Sequence, residues 1–339
     1  MSYILRDKLA AARLAYRQLM PAGALSGTLF FEAFGVGNKP YPVDRPYEKF
    51  NDYEVLLKIL REDDPEKYKK IHKGNPFYFL SWTAFHMKHY EKAVFYMDAA
   101  VSEDQANCRP QWEKTPAGCF IFLNEEGDQA AKEFTEDLKQ KIKAQIERFN
   151  LLSPPDILEW NSFLEHFIKR LARGGCERSI LTAFYSFILE HQDRQAMLEL
   201  RSSGGGSIEP FLVHLFKGGV IFESILKDRY KSNDQRRTIE KIFKYEKKFR
   251  RDFNIADRET FDTSAHDLID IIKYCRGKSG AKIAFETTAK IRNCSGHDLA
   301  RADRFLKNPS NYSDLYEQEM NAVLYLIAKG CAEQAKKGP

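Results

Sequence analysis

The chain has 339 residues, 43% of them hydrophobic and 13% aromatic, which is enough to bury a sizeable core and to form two domains. Its formal net charge of +5 permits contact with a polyanion without demanding it, because local clusters decide binding more than net charge does. Six scattered cysteines (Cys108, Cys119, Cys176, Cys275, Cys294 and Cys331) form no CxxC pair, and no apolar run approaches the length of a membrane span. These features argue against a zinc ribbon, a disulfide framework and a membrane protein, and they lead us to expect reduced thiols in a cytoplasmic setting with no metal or other cofactor.

In chain order, the sequence predicts helix after helix. Ile4, Leu5, Leu9, Leu14 and Leu19 outline an amphipathic first helix, closed by Pro21 and Gly23. The stretch Gly35–Pro46 is too rich in glycine and proline to be regular. Its Gly35-Val36-Gly37 is not a phosphate loop, since no strand precedes it and no GK[ST] follows. Across residues 76–104, Leu80, Ala84, Tyr90, Ala93, Met97 and Ala100 recur as two antiparallel helices require, with small residues where helices approach closely. This hairpin resembles one tetratricopeptide (TPR) unit. Tyr90-Glu91-Lys92-Ala93 looks like the start of its second helix, Ala100 fits the small-residue position near its end, and Ser81 replaces the usual glycine of the first. His86 and His89 have a spacing that suits a metal, but no third ligand is near, so a helix surface is the simpler reading.

Ser153-Pro154-Pro155-Asp156 stops one helix and starts another, with Asp156 as the expected N-cap. Ile157, Trp160, Leu164, Phe167 and Leu171 then mark an apolar stripe ended by Gly174-Gly175. Ser202-Ser203-Gly204-Gly205-Gly206-Ser207 reads as a linker. The expected organisation is therefore a helical sensor or partner domain over 1–150, connecting helices over 151–203, and a helical bundle over 208–335.

In that bundle Phe211, Leu212, Leu215, Phe216, Phe222, Ile225 and Leu226 mark a first helix; Ile239, Ile242, Phe243, Phe249 and Phe253 mark a second. Leu268, Ile271, Ile272 and Cys275 mark a third, and Tyr312, Tyr316, Met320, Val323 and Ile327 a last, after the Asn308-Pro309 break. Between Lys227 and Arg251 eleven Lys/Arg meet four Asp/Glu, with Tyr245 and Phe249 interleaved among Lys244, Lys247, Lys248, Arg250 and Arg251. Such a segment is either a track for single-stranded RNA or a solvated helix whose phenylalanines face the core.

The chemistry concentrates in Arg292-Asn293-Cys294-Ser295-Gly296-His297, where an arginine is followed within four to six intervening residues by a histidine, once in the whole chain. Arginine offers a planar fork of donors for phosphate, and histidine exchanges a proton near neutral pH. On a helix over 297–306, Leu299, Ala302, Phe305 and Leu306 fall at about 80° to 200° from His297, while Arg301 and Arg304 share its side. His297 therefore points away from the apolar stripe. A continuous helix would turn Arg292 about 140° from His297, so convergence needs a break, which Asn293, Ser295 and Gly296 supply.

This segment resembles the Rx4–6H signature of HEPN domains (higher eukaryotes and prokaryotes nucleotide-binding), in which a polar residue such as Asn293 often follows the arginine. The stretch Leu215–Lys227 is similar to an early helix of such a domain, and the resemblance covers about the last 130 residues. It implies an all-α, HEPN-like bundle behind the TPR-like hairpin, a homodimer with a composite site, and metal-independent endoribonuclease activity of a toxin or defence type. In that reading His297 is the general acid or base, Arg292 holds the scissile phosphate, and Asn293 orients one of these groups or the phosphate; the 2′-OH of RNA is the nucleophile. Arg301, Arg304, Lys244, Lys247, Lys248 and Arg251 would bind RNA, and the amino-terminal region would take an antitoxin, activator or defence-system partner. Two other readings fit the same residues: a non-catalytic nucleotide- or RNA-binding regulatory protein, and a helical interaction scaffold.

Overall fold

Each described segment that repeats apolar residues at three- and four-residue steps is helical, and no strand occurs among the described residues: the protein is all-α. The computed structural model describes residues 46–107, 110–124, 129–153, 156–201, 206–230, 238–256, 258–264, 267–294 and 305–337, with Ala10 and Leu14. The rest of the expected helix over 4–20, the loop at 35–45 and linker residues 202–205 lie outside the described residues. The chain divides into two compact units, Met1–Asp137 and Leu138–Pro339.

In the first unit α1 (Pro46–Asp63) is followed by α2 (Pro65–Lys70), which starts where the Asp64 carboxylate accepts from Lys67 N at 3.0 Å. Proline fits the first helical position because its missing N–H would have no partner there. The predicted hairpin is α3 (Gly74–His86) against α4 (Tyr90–Asn107), turned by Lys88 in the left-handed region (φ 59°). Leu80, Ala84, Ala93, Met97 and Ala100 are all buried between these helices and their neighbours. Ser81 does more than replace a glycine: its hydroxyl donates to the Ala93 carbonyl at 2.6 Å, tying the helices together. A core of Phe50, Tyr53, Leu57, Ile59 and Leu60 from α1 packs on the hairpin. His86 lies edge-on to Trp82, and burial lowers its pKa. A 3₁₀ turn (Trp112–Lys114) and α5 (Pro116–Ile121) follow, and the boundary between the units falls within α6 (Gln129–Leu152).

The second unit continues with α7 (Trp160–Phe163), a π-helical turn (Leu164–Ile168) and α8 (Lys169–Arg173), then α9 (Arg178–Glu199) and α10 (Glu209–Arg229). Next come α11 (Ile239–Tyr245), α12 (Lys247–Asp252), α13 (Leu268–Cys275), α14 (Ala281–Cys294) and α15 (Ser310–Lys337). Helices α10 and α14 both pack on α15; α9 covers α10 and α13 covers α14. The residues on either side of the 202–207 segment thus belong to one unit, since α9 and α10 pack together. Phe184, Phe187, Phe222, Phe285, Tyr312 and Tyr316 are fully buried, each removal from water contributing about 1.5–3 kcal/mol.

Three expectations need correction. Asp156 does not cap the next helix, which starts only at Trp160 behind Glu159; Asp156 instead pairs with Lys329 at 2.6 Å. Ile157 consequently precedes the helix and is exposed, while Leu158 is buried, held by Asn150 through both its N–H and its carbonyl. The second helix of the bundle is two short ones. Glu246 breaks it with an extended backbone (φ −83°, ψ 100°) and its carboxylate caps Lys248 N at 3.3 Å.

Candidate functional site

Helix α14 carries Arg292 in its last turn. Its buried face (Ala284, Phe285, Thr288, Ala289 and Ile291) recurs at helical spacing and packs on α10 and α15. The helix follows a tight turn in which Gly277 and Gly280 adopt φ of 71° and 105°, angles that side chains strain to reach.

Arg292 lies across α10 at the Gly218-Gly219 pair. A Cβ on Gly219 would sit 3.1 Å from Arg292 Cβ and 3.4 Å from its Cδ, so glycine is what lets this side chain approach. A Cβ on Gly218 would be 2.4 Å from Glu319 Oε2 and 2.7 Å from Phe187 Cζ. Each helix-interior glycine costs up to about 1 kcal/mol against alanine, and both are explained by the side chains they admit. The Arg292 guanidinium stacks over the Phe216 ring at 4.4 Å, and its Nε lies 3.4 Å from Glu223 Oε2. Nε makes no hydrogen bond there, so the contact with Glu223 is an ion pair alone. Phe216, Gly219 and Glu223 are three and four residues apart and share one face of α10. Glu223 also accepts from Lys227 Nζ at 2.5 Å. The Arg292 side chain keeps 34% of its surface exposed, and neither Nη has a hydrogen bond among the described residues. The guanidinium fork is presented by a clamped stem.

Asn293 is exposed beside it, and its Nδ2 donates to the Thr263 carbonyl at 3.2 Å. The segment bearing Thr263 is pinned to α14. Lys290 Nζ donates to Asp262 Oδ2 at 2.5 Å, Glu286 accepts from Asp262 N at 2.9 Å, and Lys282 reaches Glu259 at 2.6 Å. The Lys290 ammonium and the Ser264 donors hold the Asp262 carboxyl down at about 2. His297, Arg301 and Arg304 lie outside the described residues, so only the arginine half of the pair and Asn293 are placed.

The basic segment separates into two kinds of residue. Lys244, Lys247 and Arg251 are exposed, as is Tyr245, with Lys244 Nζ 5.1 Å from its ring centroid. Lys248 instead pairs with Glu333 at 3.0 Å. Arg250 is buried, donating to the Phe243 and Glu259 carbonyls at 2.8 Å each, and Phe249 is core. Phe243 and Phe249 pack on Phe285, which precedes Arg292 by seven residues, about 10 Å of helical rise. The segment therefore rests on the same helix as Arg292, two turns earlier.

The remaining histidines of this unit's core are structural. His214 is fully buried between the Phe187 carbonyl (2.8 Å) and the Tyr312 hydroxyl (2.9 Å), and burial drives its pKa well down. His191 stacks on Tyr316 with centroids 3.6 Å apart, and burial lowers it to about 4. No group of His, Cys, Asp or Glu suited to a metal ion occurs among the described residues, and no described helix is long and apolar enough to cross a membrane.

Sequence reasoning did not anticipate Glu223 or Phe216 as neighbours of Arg292, or Lys290 as the anchor of the Asn293 contact. The only local signal was the Glu223/Lys227 spacing of four, which a solvated helix face shows as often. No family model, curated protein or solved structure matches this chain.

Proposed function

We propose that this chain is a metal-independent endoribonuclease whose carboxy-terminal bundle is HEPN-like, with Arg292 binding the scissile phosphate and His297 moving the protons. The observation that supports it most is the state of Arg292. Its aliphatic stem is wedged over Gly219 and its guanidinium plane rests on Phe216, while neither Nη has a hydrogen bond among the described residues. A fork pre-set in this way binds two phosphate oxygens with little further loss of side-chain entropy. RNA brings its own nucleophile, so the enzyme aligns the 2′-OH with the adjacent phosphate, removes the hydroxyl proton and compensates charge on the non-bridging oxygens. Asn293, held through Nδ2, leaves its carbonyl oxygen to accept from the 2′-OH or from the His297 ring. Lys244, Lys247 and Arg251 with Tyr245 would carry the flanking strand, phosphates on the cations and a base on the ring. Two copies related by a two-fold axis would complete one site, and the amino-terminal unit would receive an antitoxin, an activator or another defence-system partner.

The test is direct. The purified protein is expected to cut RNA but not DNA in EDTA, leaving a 2′,3′-cyclic phosphate or its 3′-phosphate hydrolysis product. A non-catalytic RNA- or nucleotide-binding role is the second reading, favoured by the Glu223 carboxylate that already occupies one side of Arg292. Tight RNA binding with every bound RNA left intact would select it.

A further inference from the structure

A separate cavity of about 260 Å³ opens in the second unit between the π-helical turn, the end of α10, α12 and the end of α15. It approaches the roughly 300–1,000 Å³ of small-molecule pockets and is several times the ~30 Å³ that one water occupies. Part of its wall is apolar, from Phe167, Ile225, Leu326 and Ile327. Beside His166, Gly330, Cys331 and Gln334, the rest of the wall carries Arg170, Arg229 and Lys248 against Asp228 and Glu333, a surplus of one positive charge.

Two local irregularities converge on this cavity. The π-turn spans Leu164–Ile168, and its His166 and Phe167 line the cavity together with Arg170 one turn on. Such wide turns are rare and occur often at functional sites. Gly330 lies inside the 28-residue α15, where glycine weakens a helix by about 1 kcal/mol. A Cβ there would be 2.9 Å from Arg229 Nη1, so the glycine makes room for that guanidinium. Arg229 is anchored by its other nitrogens: Nε donates to Tyr230 Oη at 3.0 Å, and Nη2 meets Asp252 at 3.2 Å and Glu333 at 3.1 Å. Its side chain is 9% exposed, and Nη1 has no hydrogen bond among the described residues. At the outer edge, among the described residues, Arg170 pairs with Asp228 at 2.8 Å and Lys248 with Glu333 at 3.0 Å, with side chains 44% and 40% exposed. Each therefore retains unused donors.

We propose that this cavity binds a small phosphate monoester with an apolar body: the body against Phe167, Ile225 and Ile327, the phosphate between Arg170, Lys248 and Arg229 Nη1. The charge surplus selects an anion, and three cationic donors converging from three helices suit the several oxygens of a phosphate. The site is independent of Arg292 and of the reading given to it.

Calorimetric titration of the full-length protein with phenyl phosphate, alongside inorganic phosphate, tests this. Phenyl phosphate should bind at millimolar concentration or better and at least tenfold more tightly than inorganic phosphate. Arg170→Gln and Lys248→Gln, at exposed positions and with helical spectra like the wild type, should each weaken it severalfold; Ile327→Trp, which fills the apolar wall, should abolish it. Circular dichroism identifies any variant that does not fold, and the two exposed substitutions carry the test in that event. No binding by the wild type, equal affinity for inorganic phosphate, or binding unchanged in both exposed variants would overturn the proposal.

Discussion

Arg292 and Glu223 stand 69 positions apart in the chain, yet their Nε and Oε2 atoms are 3.4 Å apart, with Phe216 under the guanidinium. The pair is partly solvated, so its net contribution to stability is small, about 0–1 kcal/mol. Its consequence for an incoming anion is larger, because a fixed carboxylate beside the guanidinium opposes a phosphate at the same place.

Glu223→Gln should therefore change the unfolding free energy by less than about 1 kcal/mol while tightening RNA binding severalfold at low salt. Chemical denaturation and filter binding at two salt concentrations check this. Weaker RNA binding by a normally folded Glu223→Gln would show instead that the carboxylate positions Arg292 productively.

Arg292→Ala should lower RNA cleavage by about 10²–10³-fold, the usual cost of removing one group that compensates transition-state charge. Arg292→Lys should recover little, since a point charge lacks the fork and stacks poorly on Phe216. His297→Ala should cost about 10²–10⁴-fold. Rates measured in EDTA on a single RNA, with melting temperatures recorded in parallel, separate loss of chemistry from loss of fold; wild-type rates in folded variants would remove these residues from the site.

Gly218→Ala adds a methyl where Glu319 Oε2 and Phe187 Cζ already sit at 2.4 and 2.7 Å from its position. Both neighbours are fully buried, so neither yields freely. Overpacking of about 1–3 kcal/mol should outweigh the roughly 1 kcal/mol gain in helix propensity. A urea midpoint that rises in this variant would contradict the packing described for α10.

Acid should destabilise the second unit through its buried histidines. His191 is lowered to about 4 and His214 further, whereas both titrate near 6.5 when unfolded. Between about pH 6.5 and 4 the unfolded chain binds protons that the folded chain excludes, so stability falls as pH falls through that window. His191→Phe keeps the stack on Tyr316 and should flatten the slope by up to about 1.4 kcal/mol per pH unit. Denaturation curves at pH 7 and 5 for both proteins decide it; equal slopes would mean that His191 titrates normally.

Periodicity marked the chain as helical and picked out most of the apolar faces, though not that Ile157 precedes its helix or that Glu246 divides the second helix of the bundle in two. Leu80, Ala84, Ala93, Met97 and Ala100, Leu268, Ile271, Ile272 and Cys275, and Tyr312, Tyr316, Met320, Val323 and Ile327 are all buried, as their spacing requires. The Arg292–His297 motif singled out Arg292 and Asn293, because residue type and order carry chemical meaning without any knowledge of neighbours. Tertiary structure alone decided what surrounds them. That Gly218 and Gly219 are sites of close approach, that Arg250 is internal while Lys244 and Lys247 are not, and that a π-turn and Gly330 frame a cavity depend on which helix lies opposite. A 3.6-residue repeat fixes a direction around one helix axis. The atoms met in that direction come from segments tens to more than a hundred residues away, and only packing brings them together.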